Sequence, residues 1–301
     1  MFGGNLSSLR SLELRTCWLD MPKYNIGENL TSLSTVLDGM HEDRFQGVPT
    51  TMEAWLPILK GLPNLAKLSI EQHYPSTGSI SPTLPVMDVS LDRLEYLKLK
   101  IRLSHLDVFL KHVTIPTSAR ICLKLYNVRS DTQFRPSLVR LIRRHAAPSS
   151  DAGNALSIRA CDEQGIHVGF ATDADAKSLT KPRRDKICLH LRVRTNRTSP
   201  IDMAPYLSPM LWAWLPVIKH TTILHVVPAS FSFACVQVIE EVMTVMPELQ
   251  SLICPLSLLE ALPSIDFVNG KHQYRSQHAS RFAGMYLLQE LKLLQILSNT
   301  P

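Results

Sequence analysis

Residues 9–19 read LRSLELRTCWL, so Leu9, Leu12, Leu14, Cys17 and Leu19 fill every fixed position of the pattern L-x-x-L-x-L-x-x-C-x-L. The chain holds 45 leucines among 301 residues. At that frequency, chance supplies under about 0.01 such windows in the whole sequence. The alternation Leu12, Leu14 inside the window also has the period of a strand with one buried face.

Degenerate copies follow. Leu65, Leu68 and Ile70 recur in LAKLSI, Leu94, Leu97 and Leu99 in LEYLKL, and Leu249 and Leu252 in LQSLIC. Helical spacing lies between them. Met52, Trp55, Leu56 and Leu59 fall at i, i+3, i+4 and i+7, with Thr50 and Glu53 at capping-box spacing and Pro57 expected to kink or restart the helix. Leu106, Phe109, Leu110 and Val113 repeat the spacing, with Ser104 and Asp107 in the capping positions. A unit of strand, loop and helix cannot bury its own apolar face, so neighbouring units must stack. The expected fold class is therefore α/β: a leucine-rich-repeat solenoid, or horseshoe, with a concave parallel sheet, outer helices and irregular repeats.

The alternation continues beyond residue 115. Ile121, Leu123 and Leu125 predict a strand, Pro136 opens a helix carrying Leu138, Leu141 and Ile142, and Ile187, Leu189, Leu191 and Val193 predict another strand. The apolar runs 155–161 and 166–171, joined by Asp162 to Gly165, predict a hairpin inserted with its loop near 148–185. A strand at 222–227 precedes a helix bearing Cys235, Val238, Ile239, Val242 and Met246. The solenoid is expected to span 1–262. Residues 263–301 form a tail or capping segment, in which LLQELKLLQI reads equally as a final strand or a helix.

Hydrophobic residues make up 45% of the chain, enough for a sizeable core, while only 12 residues are glycine, which disfavours Gly-rich phosphate loops. No HExxH, GxSxG, GxxxxGK[ST] or GxGxxG motif occurs, so an enzyme is not expected, and no cofactor or metal is called for. The six cysteines lie far apart without a CxxC pair, which suits reduced thiols in a cytoplasmic or nuclear protein. No apolar run reaches the ~20 residues of a membrane span, and the N-terminus lacks the apolar core of a signal peptide, so no membrane association is expected. His41, Glu42 and Asp43 read as a solvated cluster, His220 and His225 as residues on opposite faces of a strand, and KPRRDK at 181–186 as a short basic run. Trp212 and Trp214 read as core.

The stretch from LPNLAKLSIEQ through LEYLKLKIRLSHLDVFLKHVTIPTSARICLKLY resembles the irregular repeats of F-box proteins abundant in mushroom-forming fungi. The resemblance covers residues 5–260 and is most characteristic over 63–126. It implies a substrate-holding solenoid in a ubiquitin ligase receptor, in which an N-terminal F-box docks the ligase adaptor. No F-box precedes the first repeat of this sequence, so adaptor binding is expected only if such a segment exists upstream.

Placing the leucines inward sends a charged series to the concave face. Arg15, Lys67, Tyr96, Lys98, Lys100, Arg120, Lys124, Tyr126, Arg159, His190, Arg192 and Arg194 are the expected partner-binding residues, with Glu13 and Glu71 among them on the same face. The net charge of +6 agrees with an acidic ligand. The expected function is non-enzymatic binding of a protein or peptide, including acidic or phosphorylated ones. A nucleic-acid-binding basic solenoid and an orphan fragment without function are the alternatives. Reversing Lys98 and Lys100 to Glu is expected to leave folding nearly intact, as exposed charge changes usually do.

Overall fold

The computed structural model describes residues 8–17, 27–37, 51–72, 87–128, 136–146, 154–161, 165–172, 187–193, 204–227, 233–249, 251–255, 265–268, 271–274 and 293–297. The chain is a mixed α/β protein built on mostly parallel sheet, and it divides into two compact units, Met1–Asn127 and Val128–Pro301.

The first unit runs β1 (Ser11–Arg15), β2 (Ser32–Leu37), α1 (Met52–Lys60), β3 (Lys67–Gln72), β4 (Val89–Ser90), β5 (Tyr96–Arg102), α2 (Leu103–His112), β6 (Val113–Thr114) and β7 (Arg120–Val128). Its sheet has the order β1-β2-β3-β5-β7, each neighbour parallel to the last, and β4 pairs separately with β6. The period-2 alternation aligns across these strands. Leu12, Leu33, Leu68, Leu97 and Ile121 share one row, and Leu14, Thr35, Ile70, Leu99 and Leu123 the next on the same face. All are buried except Leu12, which is half-buried on β1 at the end of the order. The window that matches its pattern in full therefore buries its leucines less than the degenerate copies do. Helices α1 and α2 pack against each other, burying Met52, Trp55, Leu56 and Leu59 from one and Leu106 and Phe109 from the other.

A one-turn bend recurs ahead of the strands. Leu65 donates to Leu62 O (3.2 Å), Leu94 to Leu91 O (2.9 Å) and, in the second unit, Leu249 to Met246 O (3.1 Å). Leu62, Leu91 and Met246 are themselves buried, so the apolar spacing ahead of each of these strands begins one turn earlier than the leucine pattern alone indicates. Successive strands are then tied at their first residue. Ala66 and Lys67 both donate to Thr31 O, and Glu95 and Tyr96 both donate to Ala66 O. Gly27 sits against the Gly61 carbonyl so closely that a Cβ there would collide with backbone. Gly27→Ala is expected to cost about 1–3 kcal/mol through overpacking, measured by denaturant unfolding; an unchanged midpoint would show that the two turns separate freely.

The helix starts differ from the sequence expectation. The N-cap of α1 is Thr51, whose Oγ1 accepts from Ala54 N (3.3 Å), so the cap lies one residue after Thr50. Helix α1 also runs unbroken through the exposed Pro57, whose ring faces away from the core. Strand β5 continues to Arg102, paired with Tyr126, so α2 begins directly at Leu103 and takes Ser104 and Asp107 inside the helix. Val113 leaves that helix to pair with Val89.

Two polar side chains of this unit, the buried Thr35 and the half-buried His105, bear on stability. Thr35 occupies a row of aliphatic residues with no exposure, and its Oγ1 has no hydrogen-bond partner among the described residues. Thr35→Val removes that desolvated hydroxyl at nearly constant shape and is expected to stabilise the fold by about 1 kcal/mol. An unchanged unfolding midpoint would count against an unsatisfied hydroxyl. His105 on α2 is pushed below its ordinary value of 6.5, mainly by burial and then by Arg102, with Glu53 opposing. The unfolded chain therefore takes up this proton before the folded one does. His105 is thus expected to lower stability as the pH falls through about 6.5. A stability difference from His105→Gln that stayed constant between about pH 7 and pH 5 would exclude it as the titrating group.

The second unit comprises α3 (Pro136–Ala146), β8 (Asn154–Cys161), β9 (Gly165–Thr172), β10 (Ile187–Val193), helices Ala204–Ala213 and Leu215–Ile218, β11 (Thr221–Val227), helix Phe233–Thr244, β12 (Ser251–Pro255), the antiparallel pair β13 (Ile265–Val268) and β14 (Lys271–Tyr274), and β15 (Leu293–Leu297). Its sheet has the order β10-β9-β8-β11-β12-β15. Strand β9 is antiparallel to both β8 and β10, and the remaining pairs are parallel. Within the C-terminal segment Leu293–Leu297 is a strand, while residues 287–292 lie outside the described residues. Burial here differs from the first unit. Ala155 to Ile158, Val168 to Phe170 and Ile223 to Val226 are buried at consecutive positions, so both faces of these strands are covered. Trp214 is fully buried and meets Phe170 edge-on at 5.6 Å, whereas Trp212 is 38% exposed. The two tryptophans expected together in the core are therefore split, because their i, i+2 spacing on a turning helix points them apart.

Candidate partner-binding face

Opposite the leucine rows, the first unit presents an open sheet face whose side chains also fall into rows. The first row is Ser11, Ser32, Lys67, Tyr96 and Arg120; the second is Glu13, Ser34, Ser69, Lys98 and Cys122; the third is Arg15, Val36, Glu71, Lys100 and Lys124. A fourth begins with Arg102 beside Tyr126. Neighbours within a row are about 4.8 Å apart, and successive rows about 6.8 Å. Every residue of these rows is exposed or half-buried. Eight of the residues expected at the binding surface, Arg15, Lys67, Tyr96, Lys98, Lys100, Arg120, Lys124 and Tyr126, thus share one face.

The charges are not evenly spread. Arg15 Nε donates to Glu13 Oε1 at 2.6 Å, and this hydrogen bond, followed by the attraction of the same carboxylate, raises the guanidinium's pKa above its ordinary value. Lys100 pairs with Glu71 Oε1, and Lys98 lies 4.0 Å from Glu71 Oε2. The Lys100 ammonium also stands 5.5 Å from the centre of the Tyr126 ring, within cation–π range. The Glu71 side chain is only 15% exposed, against 33% for Lys98 and 21% for Lys100. Reversing both lysines would therefore surround a largely desolvated carboxylate with two more, which corrects the expectation that this double reversal leaves folding intact. Among the described residues, no side-chain hydrogen bond or ion pair engages Lys67, Arg102, Arg120 or Lys124.

Two features of the face escaped the sequence pattern. Arg102 continues the period-2 alternation of β5 beyond Lys100, a signal that extending the strand by one step would have caught. The pairing of Glu71 with Lys98 and Lys100 joins residues on different strands, and no local spacing announces it.

The remaining expected residues lie in the second unit. Arg159 stands on β8 opposite His167, His190 on β10 also opposite His167, and Arg192 on β10 opposite Gly165. Arg194 lies outside the described residues, as do His41, Glu42, Asp43 and the KPRRDK run. His220 pairs its Nδ1 with Glu248 Oε1 at 2.8 Å, while His225 is buried within β11. Burial pushes the Cys254 thiol up to about 11, so it is not a nucleophile at neutral pH. Among the described residues no group of three His, Cys, Asp or Glu side chains could hold a metal ion, and no helix is long and apolar enough to cross a membrane.

Compared with known proteins, the chain matches no protein-family model, no curated protein and no solved structure.

Proposed function

We propose that this chain is a non-enzymatic protein-binding scaffold. In this reading it is an irregular leucine-rich-repeat solenoid whose open sheet face takes an acidic or phosphorylated peptide. It would serve in the cytoplasm or nucleus as the substrate-recognition part of an F-box-type ubiquitin ligase receptor. The repeat reading is supported by the recurring bend, strand and aligned leucine rows, and by the shared carbonyl that ties one strand start to the next. The observation that carries the binding reading is the alignment of eight predicted residues on one open face, where seven Lys and Arg side chains stand against two Glu. A preformed surface of this kind binds by shape and charge without reorganising its backbone.

Glu13 and Glu71 interrupt the positive field, which disfavours a uniform phosphate track and so favours a peptide over nucleic acid. Fluorescence anisotropy with labelled acidic and phosphorylated peptides, against an equally labelled duplex DNA, tests this. Peptide binding with a modest salt dependence is expected. Binding of DNA alone, with affinity falling steeply as salt rises, would replace the reading with nucleic-acid recognition.

A further inference from the structure

The cations of the face concentrate on two adjacent strands. The face positions of β1, β2 and β3 hold two cations, Arg15 and Lys67, and two carboxylates, Glu13 and Glu71, whereas β5 and β7 contribute Lys98, Lys100, Arg102, Arg120 and Lys124 with no acidic residue of their own. Along this strip every row supplies a cation. Arg120 stands beside Tyr96 in the first row, Lys98 beside Cys122 in the second, Lys100 beside Lys124 in the third, and Arg102 beside Tyr126 in the fourth. Rows follow one another at the two-residue repeat of a strand, about 6.8 Å.

From this spacing we infer the ligand's geometry: an extended acidic segment lying along β5 and β7, with acidic or phosphorylated residues at every second position. This rests on the peptide-binding reading above and adds the direction and spacing of the ligand. An extended chain has the same two-residue repeat as the strip, so acids at i, i+2, i+4 and i+6 each meet one row. A peptide crossing the strands instead would leave the strip after two of them and reach the charge-balanced half of the face. Tyr96 and Tyr126 stand in the first and last rows, where they can cover the two ends of the segment. Glu71, by holding Lys100 and approaching Lys98, fixes the central cations in place before a ligand arrives.

The test uses the full chain and two labelled peptides of identical composition and charge. One alternates Glu with Ser through eight residues; the other carries its four Glu in one block and its four Ser in another. In an extended block half of the acids point away from the strip, so the alternating peptide is expected to bind about tenfold more tightly. A second measurement pairs Arg102→Gln with loss of either terminal Glu of the alternating peptide. Coupling to one end only is expected. Equal affinity for the two peptides, or no coupling at either end, would overturn the inference while leaving acidic-peptide binding standing. If neither peptide binds, the peptide-binding reading falls and takes the inference with it.

Discussion

Leu97→Ala should destabilise the protein by about 2–5 kcal/mol, measured by denaturant unfolding of the full chain. Leu97 has no exposure and sits in the row between Leu68 and Ile121, which are equally enclosed. Truncation forfeits the transfer energy of the lost methyl groups and leaves a cavity between strands that the parallel backbone ladders hold at fixed spacing. Typical domains are stable by only about 5–15 kcal/mol, so the loss is a large fraction of the total. Leu12 occupies the same row on β1 but is half-buried, and Leu12→Ala should cost under about half as much. Equal costs at the two positions would mean that the row is not graded from β1 towards its centre.

Arg120→Glu combined with Lys124→Glu should weaken binding of acidic peptides by about tenfold to a hundredfold and change stability by less than about 0.5 kcal/mol. Arg120 is exposed and Lys124 half-buried on the same face of β7, and neither is engaged by a carboxylate among the described residues. Reversal therefore converts attraction into repulsion at the surface without stranding a buried partner. That separates this pair from Lys98 and Lys100, whose carboxylate partner Glu71 is largely enclosed. Titration of the double variant with the alternating Glu-Ser peptide provides the check. Undiminished affinity in a normally folded variant would reduce the basic strip to a solubilising surface.

Wherever side chains alternate on a half-buried strand, the pattern in the sequence was enough. Leu97, Leu99 and Ile101 announce β5, Ile121, Leu123 and Leu125 announce β7, and the intervening Lys and Tyr positions follow onto the opposite face because successive side chains on a strand must diverge. The helix boundaries were less legible. Thr50, Thr51 and Ser104 are all competent caps, and the choice among them depends on where strand pairing ends, as the Arg102–Tyr126 pair shows.

In the second unit the pattern predicted strands but not their surroundings. Arg159 alternates on paper as the first-unit lysines do, yet Ala155 to Ile158 on its strand are all buried, because residues distant in sequence cover both faces. The same physics separates what was readable from what was not at the candidate site. Local periodicity dictates which face a side chain takes, so the composition of the basic face was already present in the residues from Leu9 to Tyr126. Register across strands, the enclosure of Glu71 beside Lys98 and Lys100, and the concentration of cations on β5 and β7 arise from contacts between segments 21 to 35 residues apart. Those contacts depend on how the strands pair, and no single strand carries that information.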